Sequence, residues 1–375
     1  MNLDSVVLFR DFIEDNRTSM EIYSNNLENA LRPIITNHFE LNSYTPSIPN
    51  WLVKYKLPHG FSIRYARYFS YPNQVKKYQG TINHIIDQSY AHLLHKINYK
   101  NSIITVHDII PILAWKGIIQ GLTYPHFPLL YKLSVKALSK AKAIIAVSQS
   151  TKNDLITHCG LNPDNITVIH NGIDSRFCKF SIEKRKLLRD KLRLPNKDVK
   201  IVLIVGFQSY KNNFVSFKVV SKLQQQNKNV QLVWLGANNE ICEKYSKQAN
   251  LNNNAVSMNN LSFDQIVELY NTVDCLLFPS LYEGFGFPPL EAMACGTPVV
   301  TSNAASIPEV VGNAAIMLPP NNVDGLTEAV KNILENKMLR EDYINKGYTN
   351  VNRFSWKQSA SQVFSLYKKI LNNKF

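Results

Sequence analysis

The chain has 375 residues, 45% of them hydrophobic and 19% charged, which excludes a disordered protein and exceeds one ordinary core, so two domains are expected. Five cysteines (Cys159, Cys178, Cys242, Cys275 and Cys295) are scattered, odd in number and without a C-x-x-C pair, which argues against a disulfide framework or zinc site and for a reducing compartment. The formal net charge of +14 comes with no helix-turn-helix, RNA-recognition or zinc-finger pattern, so nucleic acid is not an expected partner.

No secretory-leader pattern opens the chain, and a cytoplasmic location is expected, with peripheral contact at the inner membrane face as the extension of that reading. Val6–Phe9 reads as a strand and Met20–Leu31 as an amphipathic helix, with the polar loop Asn16, Arg17, Thr18, Ser19 between them. Thr81–Ile86, Ser102–Val106, Ala143–Val147 and Ile166–Ile169 are further short apolar strands, and Leu129–Ser139 a further helix. The apolar region from Ser102 to Leu122 is broken by His107, Asp108 and Lys116, so it does not span a bilayer. Trp115 to Leu138, aromatic and aliphatic with Lys116, Lys132 and Lys136 interleaved, suits core packing or a membrane-facing ramp for a lipid-linked acceptor. A boundary falls near Asn171-Gly-Ile-Asp174. From Arg176 to Lys200, ten basic residues stand against three acidic ones; the run suits a solvated helix face, or attraction to anionic lipid or a phosphate-bearing acceptor.

The strand–helix alternation then repeats. Ile201–Val205, Val230–Leu235, Ala255–Met258, Cys275–Pro279 and Pro298–Thr301 read as strands, with helices at Asp264–Tyr270, Leu290–Ala294 and Gly325–Leu334. Near-continuous apolar strands alternating with helices imply parallel, doubly wound α/β sheets. The expected division is residues 1–174, residues 175–350, and a closing helix within 351–375 that returns to the first domain.

In such sheets ligands bind beyond the carboxyl ends of the strands. Glu283-Gly-Phe-Gly-Phe-Pro-Pro-Leu-Glu291 follows one buried strand and opens a helix, because Pro288 and Pro289 suit a first turn. Gly284 and Gly286 admit a ligand close to the backbone, and the free N–H groups of a helix start favour a phosphate. Glu291, expected in the first turn, could accept both hydroxyls of a ribose, and Glu283 could fix hydroxyls of a sugar. The alternative is a tight loop with Glu291 complementing the helix dipole.

Here the sequence resembles the retaining family-4 glycosyltransferases, whose hallmark is two glutamates separated by seven residues in this loop. Ala143-Ile-Ile-Ala-Val-Ser148 with Lys152, Val168-Ile-His-Asn-Gly-Ile-Asp174, Val205-Gly206 with Lys211-Asn212, and Cys295-Gly-Thr-Pro-Val-Val300 follow in that family's order. The resemblance implies the GT-B architecture: two Rossmann-like domains facing a central cleft, with a C-terminal helix crossing back. It implies that Lys211 holds the donor diphosphate, Glu283 contacts the sugar, Glu291 binds the ribose, and His107 with Asp108 reaches the donor sugar from the first domain. By the same resemblance, Gly206, Gly284, Phe285 and Gly286 line the donor, and the base sits against backbone near Asn260 and Leu261. Arg17, Thr18 and Ser19 match a loop that faces acceptor or phosphate. Two departures stand out: Phe207 to Tyr210 lack the arginine common near that lysine, and Ser19 and Glu21 replace glycines.

The expected reaction is transfer of a sugar, with retention, from a nucleotide-sugar of the GDP-mannose or UDP-hexose type to a saccharide or lipid-linked acceptor. No D-x-D occurs in the sequence, and Lys211 with a helix terminus stands where a metal would otherwise neutralise the diphosphate, so no metal or other cofactor is expected. Paired-carboxylate hydrolysis, an epimerase or phosphorylase of the same architecture, and a non-catalytic binding scaffold are the rival readings.

Overall fold

The computed structural model describes residues 4–15, 17–36, 39–54, 59–119, 122, 129–195, 198–251 and 255–372. The chain divides into two compact units: residues 1–118, 123–172 and 355–375 in the first, 119–122 and 173–354 in the second.

In the first unit six strands lie parallel in the order β2-β1-β3-β4-β5-β6. They are β1 (Asp4–Phe9), β2 (Phe39–Tyr44), β3 (Ile82–Ile85), β4 (Ser102–Val106), β5 (Ala143–Ala146) and β6 (Ile166–Val168). The central strands are buried along their length, as the continuous apolar runs imply. The sequence reading missed β2. Its residues Glu40, Asn42 and Ser43 break the apolar run, and this is tolerated because β2 is an edge strand with one neighbour. Helix α1 (Thr18–Ile35) buries Tyr23, Leu27, Leu31 and Ile35, spaced four residues apart on one face. Helix α2 (Leu129–Lys136) follows, and α3 (Gln149–Cys159) starts where Ser148 Oγ accepts the Thr151 N–H at 3.0 Å and stops at Gly160 in the left-handed region.

The second unit repeats the plan in the order β12-β11-β10-β7-β8-β9, again all parallel. Its strands are β7 (Lys200–Val205), β8 (Val230–Leu235), β9 (Val256–Met258), β10 (Cys275–Phe278), β11 (Val299–Ser302) and β12 (Ile316–Leu318). The helices used below are α4 (Ile182–Lys191), α5 (Asn213–Gln225), α6 (Phe263–Thr272), α7 (Phe287–Ala294), α8 (Val323–Glu335) and α9 (Lys337–Val351). Helix α6 begins with a capping box, Ser262 and Gln265 exchanging side-chain-to-backbone bonds.

The last helix, α10 (Trp356–Leu371), belongs to the first unit and packs along α1. Trp356 meets Tyr23 edge-on at 5.5 Å, and the Tyr367 hydroxyl bonds His84 Nδ1 at 2.7 Å. Gly172 admits this helix: a Cβ there would lie 2.1 Å from the Trp356 nitrogen. No described helix is long and apolar enough to cross a membrane.

Each sheet has one point where the winding reverses. In the first it lies between β1 and β3; in the second, between β7 and β10. Loops leaving such a pair of strands diverge and leave a crevice.

Much of the basic run is engaged locally. Arg176 bonds Asp174 at 2.7 Å, Arg189 donates to the Val199 carbonyl at 2.6 Å, and Lys191 holds Glu268 at 2.7 Å. These bonds knit α4 to α6 and to the strand entries.

Candidate active site

In the second unit the crevice between β7 and β10 collects four of the residues singled out from the sequence. Gly206, at φ +86, ends β7, and its carbonyl accepts bonds from Trp234 Nε1 and Asn213 Nδ2, each at 2.7 Å. A Cβ there would lie 3.1 Å from the Lys211 side chain, so a glycine keeps room for the lysine. Asn212, at φ +55, turns the chain into α5. Its amide reaches the carbonyls of Pro279 (3.2 Å) and Pro320 (3.0 Å) and Asn321 Oδ1 (3.1 Å). Leu281 N–H donates to the Tyr210 carbonyl at 2.7 Å, joining the two loops.

Lys211 Nζ lies 2.8 Å from Glu283 Oε1, and the two side chains are 11% and 9% exposed. The ammonium also stands 4.7 Å from the centroid of Phe278. The glycine loop beyond Glu283 is held by one hydroxyl: Ser306 Oγ sits 2.9 Å from the Glu283 carbonyl and 2.7 Å from that of Phe285. Gly286, at φ +114, is the residue that enters α7, and a Cβ there would meet Ile307 at 3.0 Å.

One expectation for this loop is corrected. Glu291 falls in the second turn of α7, because the helix starts at Phe287, so it does not complement the dipole of a first turn. The Phe285 ring packs against Phe287 and Phe354, with centroids 5.2 and 5.6 Å away.

Glu291 Oε2 accepts the Tyr270 hydroxyl at 2.8 Å. Desolvation raises the Glu291 carboxyl to about 7, although part of the residue meets solvent; the Tyr270 bond and the Lys211 charge oppose the rise, and Asp174 adds to it. Tyr270 comes from α6, directly after Asn260 and Leu261, of which Asn260 is exposed with φ +53.

In the first unit the crevice between β1 and β3 holds a different cluster. Arg17 bonds Asp87, reaches Ser89 Oγ at 2.9 Å, and lies 3.4 Å from Asp11. Burial alone would raise Asp87, but the Arg17 guanidinium and hydrogen bonds from Asp11 and the Ser89 N–H outweigh it and hold that carboxyl at about 2. Asp11 goes the other way: burial and the Asp87 charge push it well above the ordinary carboxylate range. Asp11 Oδ1 is buried with no partner among the described residues, beside a small cavity of about 190 Å³ that Arg10 and Arg17 also line. Ser19 is exposed in the first turn of α1; Asn16 and the side chain of Thr18 lie outside the described residues.

His107 follows β4, and its backbone N–H donates to Gln88 Oε1 at 2.9 Å. Its Nε2 donates to the Ile86 carbonyl at 2.9 Å, which leaves Nδ1 as the acceptor of a neutral ring. Burial lowers the His107 pKa, with Asp87 opposing. Tyr23 packs edge-on against the ring at 4.5 Å. Asp108 Oδ1 accepts the Ile110 N–H at 3.0 Å, starting the next short helix.

The structure thus gathers Lys211, Glu283, Gly206 and Gly286 on one sheet, with Glu291 close enough for the Lys211 charge to act on it. It sets His107 and Arg17 about a common neighbour, Asp87, on the other sheet. Asp11, Asp87, Tyr270 and Ser306 were not found from sequence, and Asn212 was noted only as part of the Lys211-Asn212 motif. A signal existed only for Asp11 and Asp87, each two residues beyond the end of a strand.

Two family models match the chain in succession: "Glycosyltransferase Family 4" over residues 39–177 and "Glycosyl transferases group 1" over residues 184–350. The chain belongs to the family-4 glycosyltransferases. Among relatives of this family-4 chain, the serotype-specific mannosyltransferase WbdA of Escherichia coli is 28% identical over 277 residues, 71% of this chain. The match spans only about a third (33%) of that relative's length. A glycosyltransferase from Rickettsia africae has a TM-score of 0.72 at 20% identity and covers 100% of both chains. HepE of Anabaena, in complex with UDP and glucose, has a TM-score of 0.73 at 15% identity and covers 98% of this chain and 100% of that one. These two structural likenesses establish the GT-B fold.

Proposed function

We propose that the protein is a retaining, metal-independent glycosyltransferase that moves a hexosyl group from a nucleoside diphosphate to a saccharide or lipid-linked glycan acceptor. Mannose is the favoured sugar, because the relative WbdA is a mannosyltransferase. The observation that carries the reading is the enclosed Lys211–Glu283 pair at the winding reversal of the second sheet, with Glu291 alongside. A diphosphate entering there competes with the Glu283 carboxylate for the Lys211 ammonium. Negative charge builds on the diphosphate as the glycosidic bond breaks, so a fixed cation acts most strongly on the transition state. Glu283, released from Lys211, then accepts a hydroxyl of the sugar. Glu291, in its ionised form, accepts the two ribose hydroxyls. His107, neutral and fixed through Nε2, offers a lone pair on Nδ1 to a sugar hydroxyl.

A lipid-linked acceptor is supported by α2 and its surroundings. Ser134, Val135, Ala137 and Leu138 are buried, whereas Leu129, Leu130, Leu133 and Trp115 are exposed beside Lys132 and Lys136. The segment therefore serves core and surface at once; residues 120–121 and 123–128 of the expected ramp lie outside the described residues.

A thermal-shift panel of UDP, GDP, ADP and their sugars tests the donor. A ligand at a hundred times its dissociation constant adds about 2.7 kcal/mol of stability. Absence of any shift across the panel sinks the proposal. Turnover that stops in EDTA and returns with manganese refutes metal independence. The membrane arm fails when the protein ignores anionic vesicles even at low salt.

A further inference from the structure

Basic side chains also gather at the opposite edge of the second sheet, where the strands begin. A cavity of about 540 Å³ opens there between α4, α9 and the entries to β7, β10 and β11. Its lining includes four cations, Lys179, Arg185, Lys200 and Arg340, against two carboxylates, Asp274 and Glu341. Both carboxylates are already engaged. Asp274 takes the Ile201 N–H at 2.9 Å, Lys200 at 3.4 Å and Arg189 at 3.5 Å, and Glu341 lies 3.8 Å from Lys337.

The guanidiniums are left with unused donors. Arg185 spends its Nε on the Asn271 carbonyl, and the Arg340 side chain makes no hydrogen bond or ion pair among the described residues. The two are close enough to repel: burial pulls Arg185 below its ordinary value, and the Arg340 charge adds to the fall. Tyr348 follows Arg340 by two turns on the same face of α9. Its hydroxyl is buried without a partner, against Gly296 of the cavity wall, where a Cβ would lie 2.0 Å away. Lys179 Nζ stands 5.3 Å from the Tyr348 ring centroid.

Uncompensated like charges around a partly desolvated space are stabilised by an anion placed between them, and guanidinium forks match phosphate oxygens. We propose that this cavity binds a phosphate dianion, free, as an ester or as a lipid headgroup, through Arg185 and Arg340. The site is separate from the Lys211 pocket, which lies a strand length away, roughly 20 Å at about 3.3 Å per residue.

The test uses the full chain carrying Lys211→Ala, which removes the ammonium of the other pocket, titrated with inorganic pyrophosphate by calorimetry. Binding persists in that variant and weakens tenfold or more when Arg340→Gln is added. Arg340 holds no partner, so its replacement leaves the fold intact, and an unchanged melting temperature verifies this. No pyrophosphate binding in Lys211→Ala, or the same affinity with and without Arg340, overturns the proposal. Vesicles of phosphatidylcholine with phosphatidic acid separate the sources. Capture that needs Arg340 and is reversed by pyrophosphate assigns a lipid headgroup, and capture indifferent to Arg340 assigns a free phosphate. Neither readout involves nucleotide or sugar transfer, so failure here leaves the proposed reaction standing.

Discussion

Both sheets reverse their winding, the first after two strands and the second after three, and they use the resulting crevices differently. At the β1/β3 crevice, acidic and basic groups close on each other: Asp87 is fully buried and bound by Arg17, Asp11 leans on both, and nearby Arg67 pairs with Asp15. At the β7/β10 crevice a single ammonium faces Glu283, and a second carboxylate, Glu291, is kept near neutral pH by its enclosure. The first arrangement fixes the loops of its unit. The second holds charges whose partners a ligand can replace. A reversal of winding therefore says where chemistry belongs, and the charge arrangement suggests which crevice exchanges partners.

The comparison is broken most sharply at Arg17. Arg17→Ala leaves a buried carboxylate unpaired and is expected to cost about 3 kcal/mol, the low end for such pairs because Arg17 is partly solvent-accessible. Calorimetry of the variant should show the loss, with nucleotide affinity of the second unit retained; an unaltered melting temperature would mean that the cluster holds nothing together. Lys211→Ala also strips an enclosed carboxylate, Glu283, of its partner and so costs stability too, but its distinguishing effect is on turnover, lowering kcat by about a hundredfold to a thousandfold. A drop of only a few-fold would remove Lys211 from the reaction.

Glu291 sharpens the contrast through pH. In the proposed reading its ionised form takes the ribose hydroxyls, so affinity for a nucleotide-sugar should fall as pH drops below about 7, by up to tenfold per unit, and Glu291→Gln should abolish the slope. A nucleotide-sugar is the proper probe because its diphosphate does not titrate there. Stability runs oppositely: a carboxyl raised by folding favours the folded state most at pH below its unfolded value and loses that contribution as pH rises through 7. The smallest effect is expected from Tyr270→Phe. Losing a hydrogen bond that lowers the Glu291 pKa should move the midpoint of that affinity profile upward, by a fraction of a unit to about one unit, in line with roughly 0.5–1.5 kcal/mol for one such bond. A downward move would contradict the assigned geometry.

The loop from Glu283 to Glu291 was legible because its information is local: glycines, prolines and carboxylates at fixed spacing after an apolar strand. Among the ten strands found, β4, β5, β7, β10 and β11 were legible for a related reason, since they are mainly apolar and buried on both faces through their middle, whereas the three-residue β12 was missed. Strand β2 was hidden because an edge position frees Glu40, Asn42 and Ser43 from that demand. The Asp11–Arg17–Asp87 cluster was hidden because β1 and β3 bring together residues more than seventy positions apart, and no spacing rule connects them. The charge between Arg176 and Lys200 was plain in the sequence, but its distribution among Asp174, Glu268 and Asp274 depended on the fold.

The Asn212 amide has a consequence for the energetics of donor capture. One planar group reaches into the loops after β7, β10 and β12, so three segments that would otherwise fluctuate separately share one position. An incoming molecule then orders little that is not ordered already, and less of its affinity is lost to freezing the receptor. In the proposed reading Asn212 thereby bears on donor affinity, as a residue that need never touch the sugar.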